Sequence, residues 1–284
     1  MILQNNMNVN WIHILFPAGG YGSTLEYCLR RFTKEYFDKS LESVSHNEDG
    51  SMHSYKKMFH PVFKHELLDL KNQILSKPGP GGNITTPVYA NLDQSPQEVI
   101  DTFIKLVGKD KVIFVEQKNI DDILMVAYCK LLKTNGYPNA NKKTIWETRE
   151  NIALIISNLD ILKLQNINKD WYTIRPLDLA INLEQEFLGV CKFLNLSVKN
   201  FNKLKKFNLD HFKKQQFIFD SINNLKEITK HIIDNDIEYE WKKLNFNEEC
   251  ILQALLLFEG FEIECYNLNS FPNNVKEFRK LLIK

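Results

Sequence analysis

The sequence predicts an α/β fold of three layers, in which helices cover both faces of a central, mostly parallel sheet. Short apolar segments such as 111–117 (KVIFVEQ) have the length and β-branched content of strands that are buried on both faces. Segments with apolar residues on one helical stripe lie between them. This alternation favours parallel strands joined by helices, while the last third of the chain, from residue 201, is predicted to be mainly helical.

The first element is an apolar run, 11–16, which predicts a strand followed at once by a glycine-rich turn and a helix. In α/β proteins the N–H groups of such a turn and the positive end of the helix dipole converge on an anion. We therefore predict that residues 17–24 bind a phosphate or sulfate group. The candidate residues are Pro17, Gly19, Gly20, Gly22, Ser23 and Thr24.

The next elements follow in alternation. Strands are predicted at 84–90, 111–117 and 171–176, and helices at 95–107, 120–133, 147–164 and 179–196. Ser95 is a candidate N-cap, with Pro96 at the first helical position. Further helices are expected at 199–216, about 220–234 and 247–258, with a short strand at 261–268 and linkers at 45–54, 77–83 and 134–143.

Length and composition predict one domain over 1–284, with a core of about 10–200 and a helical C-terminal extension of about 201–284. The chain is 44% hydrophobic, and its 36 basic and 35 acidic residues give a net charge of +1. This balance gives no support for a nucleic-acid partner.

The five cysteines form no CxxC pair and no metal-ligand spacing, so reduced thiols are expected. The sequence shows neither a signal-peptide pattern nor an apolar stretch long enough for a membrane span. These features favour a cytoplasmic protein without a bound metal.

Two common phosphate-binding motifs do not fit the glycine-rich loop. Its spacing matches that of the G-x-x-x-x-G-K-[ST] loop, but Ser23 stands where the lysine should reach the terminal phosphates. This disfavours a nucleoside triphosphatase or kinase. A dinucleotide site is disfavoured as well, because Leu25 occupies the position of the third glycine of G-x-G-x-x-G.

The loop resembles that of the sulfotransferase family, which has the form P-x-x-G-[ST]-[ST] between a strand and a helix. Pro17, Gly22, Ser23 and Thr24 look like that loop with two residues inserted. Segment 171–196 is similar to the family's strand, D-L pair and F-L-G-L helix end through Asp178-Leu179 and 193–196 (FLNL). A W-E-x-R-E string at 146–150 looks like one found in divergent microbial and viral members.

The resemblance implies a fold like that of P-loop nucleoside-triphosphate hydrolases. It also implies transfer of a sulfuryl group from 3′-phosphoadenosine 5′-phosphosulfate to a hydroxyl of a glycan or other small acceptor. The family's 3′-phosphate site is an arginine that ends a strand and a serine eight residues later. Arg149 and Ser157 have this spacing, whereas segment 117–126 has the strand-then-helix form but Gln117 and Val126 at the two positions.

The sequence departs from the family where catalysis needs charge. Ala18 stands where the family usually has a lysine or arginine after the proline. The family's base is a histidine or glutamate, but after the second strand this chain offers Tyr89 and Asn91, which are poor bases at neutral pH. His60 and His65 are candidates to fold over the site. Two alternatives therefore stay open: a small-molecule kinase, and a non-catalytic nucleotide-binding or structural descendant of the fold.

Overall fold

Strand β1 (Ile12–Pro17) is buried along its whole length and forms the centre of a parallel sheet in the computed structural model. The structure describes residues 11–43, 84–90, 95–108, 110–135, 160–165, 167–235 and 246–258, and the statements below concern these residues. Strands β2 (Ile84–Thr85) and β3 (Val88–Ala90) pair with one side of β1. Strand β4 (Lys111–Val115) pairs with its other side, and β5 (Tyr172–Ile174) pairs with β4.

The strand predicted over 84–90 is divided in two by Thr86 and Pro87. Proline has no N–H to donate to a ladder, so regular pairing is interrupted there. The carbonyl of Pro87 still accepts a hydrogen bond from the Phe16 N–H at 3.1 Å, which keeps the segment beside β1.

Several helices agree with the sequence and others differ in extent. The predicted helix over 179–196 is interrupted at Asn182, and the two predicted over 199–216 and 220–234 are one continuous helix, since no glycine or proline divides them. The described end of segment 147–164 is a 3₁₀ turn, Asp160–Lys163.

The helices are α1 (Gly22–Phe32), α2 (Pro96–Val107), α3 (Ile120–Asn135), α4 (Pro176–Ile181), α5 (Leu183–Leu194), α6 (Phe201–Asn235) and α7 (Phe246–Phe258), with a further 3₁₀ turn at Lys39–Ser43.

A hydrophobic cluster lies on each face of the sheet. Ile14 and Ile113 belong to the larger cluster, which includes side chains of α1 and α3 to α7. Leu15 and Phe114, their neighbours along the same strands, belong to a second cluster that includes α2. Alternate residues of each strand are thus buried on opposite faces. The chain is an α/β protein with a parallel sheet, an arrangement consistent with three α/β/α layers.

Two further expectations concern the described part of the chain. No helix described there is long and apolar enough to span a membrane. The cysteines described there, Cys28, Cys129, Cys191 and Cys250, are free thiols. The linkers 45–54 and 77–83 and the strand expected at 261–268 lie outside the described residues, as does most of 134–143.

Candidate functional site

The chain reverses its direction across the sheet between β1 and β4. From β1 the chain continues to β2 on one side, and from β4 it continues to β5 on the other. In parallel α/β sheets a crevice opens between the carboxyl ends of two such strands, and ligands bind there. The glycine-rich loop follows β1 and residues 116–118 follow β4, so both segments border this crevice.

The backbone of the loop is fixed by its own hydrogen bonds. The Gly20 N–H donates to the Pro17 carbonyl at 2.7 Å, and the Ala18 N–H donates to the Ala90 carbonyl at 3.2 Å. Gly19 has a φ of +96°, which favours glycine, and Tyr21 has a φ of 62° at the N-cap of α1. The turn therefore enters α1 in one defined conformation.

The loop glycines have packing reasons of their own. A Cβ at Gly22 would lie 2.2 Å from the Phe16 ring, and one at Gly19 would lie 2.6 Å from the Val126 carbonyl oxygen of α3. A Cβ at Gly20 would lie 2.6 Å from the Pro17 ring. The close approach of strand, turn and helices thus requires these glycines whether or not a ligand binds.

The hydroxyls of the predicted anion site are buried. Ser23 and Thr24 are 3% and 2% exposed, whereas Ala18 and Gly19 are partly exposed and form the rim of the loop. Tyr21 joins the loop to two helices. Its hydroxyl donates to Gln215 Oε1 of α6 at 2.6 Å and lies 2.9 Å from Cys129 Sγ of α3. The first turn of α1 contains no acidic residue, which leaves its positive dipole end unopposed there.

The segment that follows β4 contains an unusual buried side chain. Gln117 is 2% exposed, and within the described structure neither its amide nitrogen nor its amide oxygen has a hydrogen-bond partner. Buried amides are normally hydrogen-bonded, because burial without a partner is unfavourable. Its neighbours Glu116 and Lys118 form an ion pair at 3.1 Å.

The carboxyl ends of β4 and β5 are joined by an ion pair. Arg175, directly after β5, donates through Nε to the carboxylate of Asp122 in α3, at 3.0 and 3.2 Å. Asp122 is fully buried and also accepts the N–H groups of Lys118 and Leu177, at 3.0 and 3.4 Å. The hydrogen bond to Asp122 is the main cause that raises the pKa of Arg175, so the guanidinium stays charged.

Tyr89 lies at the same edge but is no base. It is fully buried, and its hydroxyl donates to the Val115 carbonyl at 2.9 Å. Burial raises its pKa well above the ordinary value, against a smaller lowering by a hydrogen bond with the Gln117 backbone. Its phenol is therefore protonated at neutral pH, in agreement with the sequence-based expectation.

The loop residues 17–24 directly follow β1, and Gln117 follows β4, the strand that pairs with β1. Val126, the other end of segment 117–126, is buried in α3 with its carbonyl against Gly19. The pair Arg149 and Ser157 lies outside the described residues, as do His60, His65 and Asn91. Within the described part, no group of three or more metal-ligating side chains occurs.

Sequence reasoning missed Asp122 and Arg175 as parts of this edge. A usable signal was present, since Arg175 lies near the end of the strand predicted over 171–176 and Asp122 lies in the first turn of the helix predicted over 120–133. It also missed His13, which is buried at the amino edge between Thr85 Oγ1 at 2.6 Å and Asp110 Oδ2 at 3.1 Å.

Comparison with family models, curated proteins and solved structures finds no match for this chain. The fold and the residues at the carboxyl ends of its strands together define an α/β protein with a candidate anion-binding crevice between β1 and β4.

Proposed function

We propose that the 17–24 loop binds the phosphosulfate end of 3′-phosphoadenosine 5′-phosphosulfate, in a sulfotransferase-like protein with a P-loop-like fold. The observation that carries the proposal is the position of the loop at the carboxyl end of β1, where the chain reverses its direction across the sheet. The absence of acids from the first turn of α1 supports an anionic ligand.

The chemistry proposed is transfer of the sulfuryl group to a hydroxyl of a glycan or small acceptor. Backbone N–H groups of the loop and first turn of α1 would stabilise the charge on the transferring group. Since Ser23 and Thr24 are buried and the Ala18 N–H is bonded to the Ala90 carbonyl, we assign the first contact with a ligand to the backbone N–H of Gly19 at the exposed rim.

A second candidate function is binding of the same nucleotide without catalysis. The observation in its favour is that no described histidine is exposed at this edge and that the carboxylate of Glu116 is paired with Lys118. Tyr89 is buried and protonated, and the two histidines with described side chains, His13 and His211, are fully buried. Binding of the nucleotide without transfer to any acceptor of a glycan panel would favour this candidate.

Opposite charges at Ala18 test the binding site directly. Ala18→Asp places a negative charge at the rim, and Ala18→Lys places a positive one there, while the backbone bond to Ala90 is kept. In calorimetry with adenosine 3′,5′-bisphosphate we expect Ala18→Asp to weaken binding at least about tenfold and Ala18→Lys to strengthen it several-fold.

The matched control is Lys169→Gln, which lowers the net charge by the same amount as Ala18→Asp but precedes β5, at the opposite edge of the sheet. Equal affinities of both Ala18 variants and wild type would exclude the loop as the binding site. Binding of ATP with Mg²⁺ but not of the bisphosphate would instead favour a small-molecule kinase. Gly22→Val is a poor test, because its side chain would collide with Phe16.

A further inference from the structure

We propose that the exposed face of the first half of α6 is a docking surface for an anionic lipid bilayer. The face consists of three apolar side chains, Phe201, Leu209 and Phe212, which we call the apolar row, and of the lysines beside them. The proposal does not rest on the proposed function, because this face lies apart from the crevice between β1 and β4.

The apolar row is exposed to solvent on one side of the helix. Phe201 is 41%, Leu209 58% and Phe212 38% exposed, whereas Leu204 of the same helix is fully buried. A helix turns by about 100° per residue, so positions 201, 209 and 212 share one side of it. In the described structure one other large apolar side chain is similarly exposed, Leu162 at 39%, so the exposed apolar surface is concentrated on α6.

Lysines surround the apolar row. Between residues 199 and 214 the sequence has six lysines and one aspartate, whereas the whole chain has a net charge of +1. Lys205 lies within the row, with its ammonium nitrogen 4.9 Å from the centre of the Phe201 ring. Lys206 and Lys213 are exposed and lie beside the row. This local excess of positive charge is complementary to an anionic surface.

The inner side of the same half of α6 is fixed against the protein. The Phe207 ring stacks on the Tyr27 ring of α1 at 5.1 Å, and His211 Nε2 lies 3.1 Å from the Leu179 carbonyl oxygen of α4. The apolar row is therefore held in one orientation before it meets a surface. Docking then requires little further ordering of the chain, which favours binding.

The docking face precedes the part of α6 that contacts the glycine-rich loop. Helix α1 leads away from the carboxyl end of β1 and ends at Phe32, whose carbonyl accepts the Lys199 N–H at 2.6 Å. Helix α6 thus begins beside the end of α1 and reaches Tyr21 of the loop only at Gln215. A protein docked through residues 201–213 would keep the crevice accessible from solution.

The shape of the face favours a bilayer over a protein partner. All its members lie on one helix, so the surface is a convex ridge, whereas a partner helix is usually bound in a groove between elements. The apolar side chains of a ridge can enter the boundary between headgroups and acyl chains while the lysines stay among the headgroups. A second copy of the chain would bring lysines against lysines across a two-fold contact, which is unfavourable.

Co-sedimentation of the full chain with vesicles tests the role of charge. We expect binding to vesicles of equimolar phosphatidylserine and phosphatidylcholine, and at least about tenfold weaker binding to phosphatidylcholine alone. Each lysine near an anionic surface strengthens binding roughly fivefold. The double variant Lys206→Gln, Lys213→Gln should therefore bind the anionic vesicles roughly 25-fold more weakly than wild type.

The matched control is the double variant Lys105→Gln, Lys169→Gln. It removes the same charge from exposed positions on the opposite face of the sheet, where α2 and the segment before β5 pack against the second hydrophobic cluster. Charges that far from the bilayer are screened by salt, so the affinity should change by less than about twofold.

Two uncharged substitutions test insertion of the apolar row. Leu209→Asn should weaken binding to the anionic vesicles several-fold, whereas Leu209→Trp should keep or strengthen it, because tryptophan is favoured at the membrane interface. A purely electrostatic attraction would leave both variants equal to wild type. The melting temperature should stay nearly unchanged in all variants, since the altered side chains are exposed.

Several results would overturn the proposal. These are the absence of wild-type binding to the anionic vesicles, equal losses in the two double-lysine variants, and equal binding by both Leu209 variants. Binding of poly-glutamate but not of vesicles would assign the face to an acidic protein. A dimer in sedimentation velocity that Leu209→Asn abolishes would assign it to a second copy. None of these outcomes affects the 17–24 loop, which is tested with the bisphosphate.

Discussion

The Nε atom of Arg175 donates to both carboxylate oxygens of Asp122, at 3.0 and 3.2 Å, and this contact joins the carboxyl ends of β4 and β5. Asp122 is fully buried, and its other bonds are to the N–H groups of Lys118 and Leu177. One carboxylate thus fixes three segments at the edge where the candidate ligand site lies. Its burial and its number of partners lead to the first prediction.

We expect Asp122→Ala to lower the free energy of unfolding by about 3 kcal/mol, because it leaves a partly buried guanidinium and two N–H groups without their acceptor. Urea denaturation measures the change. Asp121→Asn is the control: that carboxylate pairs with Lys226 near the surface at 2.6 Å, and such pairs contribute about 0–1 kcal/mol. Similar losses in both variants would contradict a special role of Asp122.

The glycines of positive φ give the second prediction. At Gly19, an alanine would strain the backbone, and its Cβ would lie 2.6 Å from the Val126 carbonyl oxygen. At Gly108, where φ is +58°, an added Cβ would have no atom within 4 Å. Gly108→Ala should therefore cost only its backbone strain, and Gly19→Ala should cost more. Thermal unfolding of the two variants gives the comparison. A cost for Gly19→Ala no larger than for Gly108→Ala would show that the loop does not pack on α3 in this way.

The buried contact between His13 and Thr85 gives the third prediction. Thr85→Val keeps the shape of the side chain and removes the partner of His13 Nδ1, 2.6 Å away, between two adjacent strands. The expected loss of stability is about 1–3 kcal/mol. Thr102→Val removes a hydroxyl that bonds only within α2, to the Glu98 carbonyl, and should change stability by less than about 0.5 kcal/mol. Chemical denaturation distinguishes the two; a neutral Thr85→Val would contradict the contact.

The thiols give a fourth prediction, which concerns reactivity. Burial raises the pKa of Cys191 to about 12 and that of Cys28 well above its ordinary value. Only the thiolate is nucleophilic, and a raised pKa lowers the thiolate fraction at a given pH. At pH 8 both residues should therefore resist iodoacetamide in the folded protein, while half-buried Cys129 reacts faster.

Peptide mass spectrometry can follow each cysteine separately, and urea-unfolded protein supplies the control in which all of them react. The sign of the pH effect also follows: labelling of Cys191 should be slow at pH 8 and should become faster as the pH rises, because the thiolate fraction grows. Rapid labelling of Cys28 at pH 8 in folded protein would mean that this side of α1 opens to solvent.

Much of the fold followed from patterns within short segments. The β-branched run that became β4 and the striped segment that became α2 were predicted correctly, because strand and helix periodicity are local properties. However, β4 ends at Val115 rather than at residue 117, and Ser95, the N-cap of α2, makes no side-chain cap hydrogen bond. Other expectations were wrong where the pattern was incomplete. Pro87 divides a predicted strand, Asn182 divides a predicted helix, and α6 continues through 217–219, where two helices were expected to be separate.

The candidate site, too, was predictable from the sequence only in part. The glycine-rich turn after β1 was visible in the sequence, since glycines beside a strand end and a helix start form a compact local motif. That the same glycines are needed for packing on Phe16, Pro17 and Val126 was not visible. Nor was the contact between Asp122 and Arg175, which are 53 positions apart.

The sequence by itself thus determined the order of strands and helices and the place of one turn, because these depend on neighbours within a few residues. Tertiary structure alone decided which strands are adjacent, and so which turn, amide and guanidinium share an edge. The physical reason is that strand pairing joins segments that are distant in the sequence, so the pattern within one segment does not identify the strand that pairs with it. The loop residues were found from the sequence, whereas Gln117 and Arg175 became part of one edge only when β4 and β5 were seen beside β1.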